Sequence, residues 1–213
     1  MKYKCILWDW NGTVIDDMPV SLRAVNKILA DRGRAPICKE EYYEYIDTPI
    51  TKFYERLFDL EKEDMDTLIR EFNENYDSFL DGSEVSDEVR KGLKAVCLSG
   101  AKQIILSSSE AKKLIRLIGE YGLTEVFSAI LGSDDFVCSS KVERAQGWFA
   151  AEGVSPAEAV ILGDTLHDAE VAREIGCDCI LVSCGHQSKK ELLSAGYPVK
   201  ESVADALKLI IEQ

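Results

Sequence analysis

A chain of 213 residues, 46% of them hydrophobic, can bury a full core as one large domain or as one domain carrying a smaller insertion, and is too apolar to be disordered. Its 38 acidic residues against 25 basic ones leave a formal charge of −13, which argues against a nucleic-acid partner and requires any small anionic substrate to meet a locally placed cation. Seven scattered cysteines, often inside apolar runs, fit reduced core thiols of a cytoplasmic protein, and no apolar run has the length of a signal peptide or a membrane span.

Residues 4–8 make a short, mostly apolar run with the length of a buried strand, and Asn11-Gly12 ends it as a strong breaker. Asp9 is thereby presented at a strand's carboxyl end, the edge at which open parallel sheets bind ligands. Taken alone, the same stretch also reads as a plain turn. Residues 19–31 carry Val20, Ala24, Val25, Ile28 and Leu29 at helical spacing, closing at Gly33. From 39 to 81 nothing resembles a buried strand; charges alternate with Tyr42, Tyr43, Phe53, Tyr54, Leu68, Phe72 and Tyr76 at amphipathic-helix spacing. The pattern predicts a helical insertion over 17–86, a lid above the first strand's end, with 1–16 and 87–213 as the core domain. Its aromatics read as packing rather than as a binding platform, and Thr48-Pro49 is the candidate substrate-facing edge.

From Val85 onward helices and short apolar strands alternate. The expected strands are 103–106, 127–131, 160–162 and 179–182, separated by helices over 110–119, 141–151 and 168–175 and closed by a helix over 203–211. Strands separated by helices of this length need right-handed crossovers, so the expected fold is α/β: a Rossmann-like, mostly parallel sheet with helices on both faces, plus a small all-helical cap.

Each expected strand ends in polar chemistry. After Leu106 come Ser107, Ser108 and Ser109, hydroxyls and amides that can bind an anion; for Ser108 and Ser109 helix capping is the competing role. After Leu131 the loop passes Asp134 and Asp135 to Ser139-Ser140-Lys141, setting a lysine at a helix start, against the macrodipole, which points to a job for it. After Leu162 stands Gly163-Asp164-Thr165-Leu166-His167-Asp168, whose two carboxylates can bind a hard cation or cap the helix. Cys177-Asp178-Cys179 lacks a second ligand pair at zinc spacing. A carboxylate, a hydroxyl, a lysine and an acidic pair at four strand ends suit phosphoryl transfer through a covalent aspartyl intermediate.

In this order and spacing the four motifs, Asp9-Trp10-Asn11-Gly12-Thr13, Ser107, Lys141 and Gly163-Asp164 through Asp168, resemble those of the haloacid dehalogenase superfamily, and within it the phosphoglycolate phosphatase-like members with a helical cap after the first motif. The resemblance implies a Mg²⁺-dependent phosphatase of a small phosphorylated metabolite, with Asp9 as nucleophile and metal ligand. It implies Ser107, Ser108, Lys141, Gly12 and Thr13 as substrate contacts, and Asp164, Asp168 and the backbone carbonyl of Asn11 as further metal ligands, Asp168 directly or through water. The expected state is a cytoplasmic monomer without nucleic-acid or membrane partners.

One position departs from the family pattern: Asn11 stands where these phosphatases carry a second aspartate, the general acid and base. Loss of a positioned acid typically costs about 10² to 10⁴ in rate. Several readings stay open. The enzyme could be slow and use an easily displaced leaving group, or take its proton from Asp16, Asp17, His167 or His186. It could instead be a phosphate-ligand binding or regulatory protein, or carry a deliberate exchange of the aspartate. A C–P or C–halogen hydrolase is a further alternative, the former needing a cap lysine, for which Lys52 is the candidate.

Overall fold

The computed structural model describes residues 2–47, 49–133 and 140–211. β1 (Cys5–Trp8) is entirely buried and lies at the middle of a six-stranded sheet of order β3-β2-β1-β4-β5-β6. A helical insertion follows, with α1 (Met18–Asp31), α2 (Lys39–Tyr45), α3 (Thr51–Leu57) and α4 (Met65–Phe79). Then come α5 (Asp87–Ser99), β2 (Lys102–Glu110), α6 (Ala111–Glu120), β3 (Ala129–Ser133), α7 (Lys141–Glu152), β4 (Ala159–Gly163) and α8 (Leu166–Ile175). The chain finishes with β5 (Asp178–Val182), the short α9 (Lys189–Leu192), β6 (Val199–Lys200) and α10 (Val203–Ile211). All pairings between these strands are parallel; Leu7 sits between Ile104 and Ile161.

The unbroken apolar character of β1 has a simple cause, since a central parallel strand is covered on both faces. Ile6 and Trp8 point into one core with Leu93, Val96, Leu114 and Leu207, while Cys5 and Leu7 point into the other with Phe149, Ala169 and Ala172. A third core belongs to the insertion: Val25, Ile28, Leu29, Tyr42, Phe53, Tyr54 and Leu68 pack together, with Phe53 edge-on to both Tyr42 and Tyr54. Most of the aromatic residues are therefore packing, as their spacing suggests. The insertion leaves and returns at one place, where Asp16 forms an antiparallel bridge with Glu84 and its N–H donates to the Glu84 carbonyl at 3.0 Å.

Several boundaries differ from the expected ones. β2 runs on through Ser107–Ser109 to Glu110, so neither Ser108 nor Ser109 caps α6; Glu110 takes the cap position without a side-chain bond. β3 starts two residues later than expected, and Phe127 instead fills the core on one face. β6 has two residues, too few to show periodicity, and α9 spans a single turn. No helix among the described residues is long and apolar enough to cross a membrane.

Candidate active site

The carboxyl ends of β1, β2 and β4 converge. Asp9 follows β1 directly, and its N–H donates to the Leu162 carbonyl at 2.9 Å, which fixes it beside the end of β4. Lys141, first residue of α7, is 5% exposed, and its Nζ bridges Asp9 Oδ1 at 2.6 Å and Asp168 Oδ1 at 2.8 Å. The two carboxylates offset the unfavourable place of a cation at a helix N-terminus. Burial works against the Lys141 charge, yet Asp168 and Asp9 hold its pKa above the ordinary value.

Asp9, Asp164 and Asp168 are all buried, and each offers an oxygen within 4.8 Å of the others. Burial, reinforced by Asp168 and Asp164, pushes the Asp9 carboxyl up to about 8 despite the lysine. Burial likewise pushes Asp164 up to about 6, against the opposing His186 charge. Asp168 is held below the usual carboxylate range, because the Lys141 charge and hydrogen bonds from Lys141 and Thr165 overcome its burial. It also closes a capping box on α8 by accepting from the Thr165 N–H at 3.1 Å and hydroxyl at 2.7 Å.

The remaining first-motif residues build the pocket that holds Asp164. Thr13 Oγ1 donates to Asp164 Oδ1 at 3.1 Å and the His186 N–H donates to Oδ2 at 2.6 Å. Gly12 has φ +69° and packs against the Asp164 carboxylate so closely that a Cβ would collide with it; a Cβ on Gly185 would collide with the same carboxylate. The Gly12 N–H donates to Asp17 Oδ1 at 2.7 Å. Thr13 and Gly12 therefore spend their donors on protein acids. Ser107, buried at the same sheet edge, accepts from the Ser109 N–H at 3.1 Å, and its carbonyl receives Arg144 Nη2 at 2.9 Å. Ser108 is exposed on a cleft of about 370 Å³ between the sheet edge and the insertion, which is also lined by Asn11, Asp17, Tyr42, Phe72 and Tyr76.

Asn11 and Asp17 form the polar floor of that cleft. Asn11 Nδ2 donates to Asp17 Oδ2 at 2.7 Å and to Tyr76 Oη at 3.0 Å, while Ser109 Oγ donates to Asn11 Oδ1 at 2.8 Å. Tyr76 Oη donates to Asp17 Oδ2 at 2.7 Å, and His186 Nε2 lies 3.2 Å from Asp17 Oδ1. Burial alone would raise the Asp17 pKa, but the His186 charge and the bonds from His186, Asn11 and Tyr76 hold it below the usual carboxylate range. Burial opposes charge on His186, yet Tyr42 and Asp17 hold its pKa well above the ordinary histidine value. From the insertion, Tyr42 Oη meets His186 Nδ1 at 3.0 Å and Tyr43 Oη donates to the Gly185 carbonyl at 3.1 Å.

The structure thus brings Asp9, Lys141, Asp164 and Asp168 together, with Ser107 at the same edge. Of the alternative proton sources, Asp17 and His186 reach the cleft. The His167 ring faces Glu170 at 3.6 Å and does not line the cleft, nor does Asp16. Lys52 also lies off the cleft lining, 3.4 Å from Asp47. Asp134, Asp135, Ser139 and Thr48 fall outside the described residues. Tyr42, Tyr76 and Arg144 had no sequence signal as site residues, since each reaches the site from a helix whose spacing reports only packing; Ser109, an anion contact or helix cap by its sequence, instead donates to Asn11 from β2.

Buried acids around one lysine at the carboxyl edge of a parallel sheet, under a helical insertion, mark an α/β enzyme that handles a charged group. The chain belongs to the haloacid dehalogenase-like hydrolase family, whose sequence model matches residues 6–182. It is 27% identical over 217 residues to a phosphoglycolate phosphatase of Thiobacillus denitrificans, covering 97% of this chain and 92% of that protein. It is 24% identical to a phosphoglycolate phosphatase of Psychrobacter arcticus, covering 90% of this chain and 88% of that protein. In fold it is similar to a haloacid dehalogenase-like hydrolase from Streptococcus pneumoniae, with a TM-score of 0.84 at 16% identity, covering 98% of this chain and 99% of the other.

Proposed function

We propose that the protein is a Mg²⁺-dependent phosphatase of small phosphomonoesters, working through an aspartyl-phosphate on Asp9, with residues 17–86 as the cap that opens and closes over the site. The observation that carries this reading is the cluster of Asp9, Asp164 and Asp168 around Lys141. Among the described residues, the four buried carboxylates of Asp9, Asp17, Asp164 and Asp168 meet two cationic partners, Lys141 and His186, and the raised Asp9 and Asp164 carboxyls express that excess of negative charge. A hard dication fits this donor set. Asp9, Asp164 and the Asn11 carbonyl would hold it, with Asp168 in support, and when bound it supplies charge neutralisation for the phosphoryl oxygens.

Asp9 attacks phosphorus through the oxygen that Lys141 does not hold. Lys141 keeps Asp9 oriented and meets charge developing on the phosphoryl group, and Ser107 orients that group. Arg144 fixes the Ser107 backbone through its carbonyl. Water then releases phosphate from Asp9. The named substrates of the relatives make phosphoglycolate the first ester to assay. The test is phosphate release with Mg²⁺ or EDTA by the native protein and by Asp9→Asn: turnover that needs both the metal and Asp9 supports the reading, and turnover that survives Asp9→Asn removes it. The crowded hydrogen bonding of Asn11 supports a second reading, a phosphate-ligand binding protein, which tight Mg²⁺-dependent binding without product would favour.

A further inference from the structure

By its resemblance to the family pattern, position 11 is where an acid would protonate a departing group. Asp17 can only accept when ionised, so the nitrogen of the Asn11 amide must face it, and the oxygen is left for the Ser109 hydroxyl. This is a donor and acceptor pattern that an amide fills and a carboxylate does not. The Asn11 side chain has no proton left to give.

The other groups on the cleft wall are committed as well. Asp17 takes Gly12 N–H and His186 Nε2 on one oxygen and Asn11 Nδ2 and Tyr76 Oη on the other, four partners that leave it no proton of its own. Tyr76 directs its proton at Asp17. Both ring nitrogens of His186 are engaged, Nε2 by Asp17 and Nδ1 by Tyr42 Oη. Burial keeps Tyr42 a weaker acid than a free phenol. Lys113 is ion-paired with Asp77. Among the described residues lining the cleft, every titratable side chain is therefore tied to another protein group.

We infer that this site is built for phosphate esters whose leaving group departs as an anion, unprotonated: acyl, enol or aryl phosphates in preference to alkyl phosphates. The inference rests on the phosphatase reading and narrows its substrate class. An Asp9 oxygen forms a bond to phosphorus while the ester P–O bond breaks, and the electron pair leaves on the departing oxygen as a carboxylate, enolate or phenolate. In the second step water attacks phosphorus and the P–O bond to Asp9 breaks with its electron pair returning to the carboxylate. The water proton passes to the released phosphate. Asp9 is itself an acidic leaving group, so neither step calls for a proton donor at position 11.

The test is kcat/KM with Mg²⁺ for dinitrophenyl, nitrophenyl and phenyl phosphate and for phosphoglycolate, on the native protein, on Asp9→Asn and on the double variant Asn11→Asp/Asp17→Asn. The double variant exchanges amide and carboxylate within one pair and returns to position 11 a carboxyl that lacks the Gly12 N–H and His186 contacts holding Asp17 ionised. The native profile should fall steeply as the leaving group becomes more basic, by about 10² to 10⁴ more across the series than the double variant's, the typical worth of a positioned acid. Native turnover of phosphoglycolate within about tenfold of nitrophenyl phosphate overturns the inference, and so does a double variant as steep as the native protein. Should the double variant fail to fold, the native profile decides alone. Loss of all turnover in Asp9→Asn with a flat native profile removes this inference only. Turnover retained by Asp9→Asn, or no native turnover of any ester, removes the phosphatase reading with it.

Discussion

In an Asn11→Asp variant a carboxylate faces Asp17 Oδ2 across the 2.7 Å that the amide now spans with a hydrogen bond. Two unit charges at that separation repel by roughly 6 kcal/mol at an effective dielectric of about 20. Uptake of one proton by the pair limits the cost: holding a carboxyl neutral at pH 7 when its ordinary pKa is about 4 takes roughly 4 kcal/mol. The expected loss is therefore about 3 to 4 kcal/mol, a fall in Tm of roughly 6 to 16 °C for a chain of this length. The sign with pH follows from the raised carboxyl. Its folded pKa exceeds the unfolded one, so the deficit is complete above the raised pKa and fades as pH falls towards about 4. Adding Asp17→Asn reverses most of the loss. The new amide oxygen can take the Gly12 N–H and His186 bonds, its nitrogen can donate to position 11, and Tyr76 Oη and Ser109 Oγ already lie 3.0 and 2.8 Å from the Asn11 side chain. Thermal unfolding of both singles and the double at about pH 5 and about pH 7.5 measures this. An Asn11→Asp protein melting within about 1 °C of the native one at the higher pH, or a double variant no better than either single, refutes the reasoning.

Lys141→Ala leaves Asp9 and Asp168 buried without their shared cation, and is expected to abolish turnover and to cost about 3 to 5 kcal/mol in thermal unfolding at neutral pH. Mg²⁺ is expected to raise Tm, and to raise it more as pH climbs from about 6 to about 8, because Asp164 (about 6) and Asp9 (about 8) must shed protons to bind it. A Mg²⁺ shift that does not change over that range removes the carboxylate assignment. Tyr42→Phe deletes the 3.0 Å bond to His186, with an expected loss of about 1 kcal/mol and a fall in Tm of about 2 to 4 °C; an unchanged melt shows that this bridge holds nothing.

The sheet was legible because its signal is carried by runs such as Ile104–Leu106 and Val160–Leu162, which are buried on both faces and therefore apolar throughout. The helical insertion was legible through its aromatic spacing, and Asp9, Lys141, Asp164 and Asp168 through their places at strand ends and helix starts. Harder to read were contacts that depend on how separate units meet. Tyr76 reaches Asp17 from 59 residues away, and Tyr42 reaches His186 from 144. Both tyrosines also pack in apolar cores, so hydrophobic spacing describes their rings and is silent on their hydroxyls. The serine run misled for a related reason. Hydroxyls before a helix usually cap it, but here the strand continues through them and presents Ser109 to Asn11.

Two local rules are broken at the site, and the breaks explain each other. Asp17 occupies the N-cap position of α1, where a carboxylate is ordinarily worth about 1 kcal/mol by accepting from the first turn, yet it makes no such bond. Lys141 opens α7, where a cation opposes the macrodipole. Each side chain has been turned away from its own helix towards the end of β1, Lys141 to Asp9 and Asp17 to Asn11 and Gly12. α1 forgoes its side-chain cap, while α7 keeps its Ser140 cap but carries an opposed charge; the tertiary partners offset both, with two carboxylates for the lysine and four donors for the aspartate. The carboxylate that the family pattern places at position 11 thus has a counterpart at position 17, where it is fully buried and joined to α2 and α4 through His186 and Tyr76. A charge placed there serves to hold the insertion against the first motif, and the same contacts that give it that role withdraw it from proton transfer.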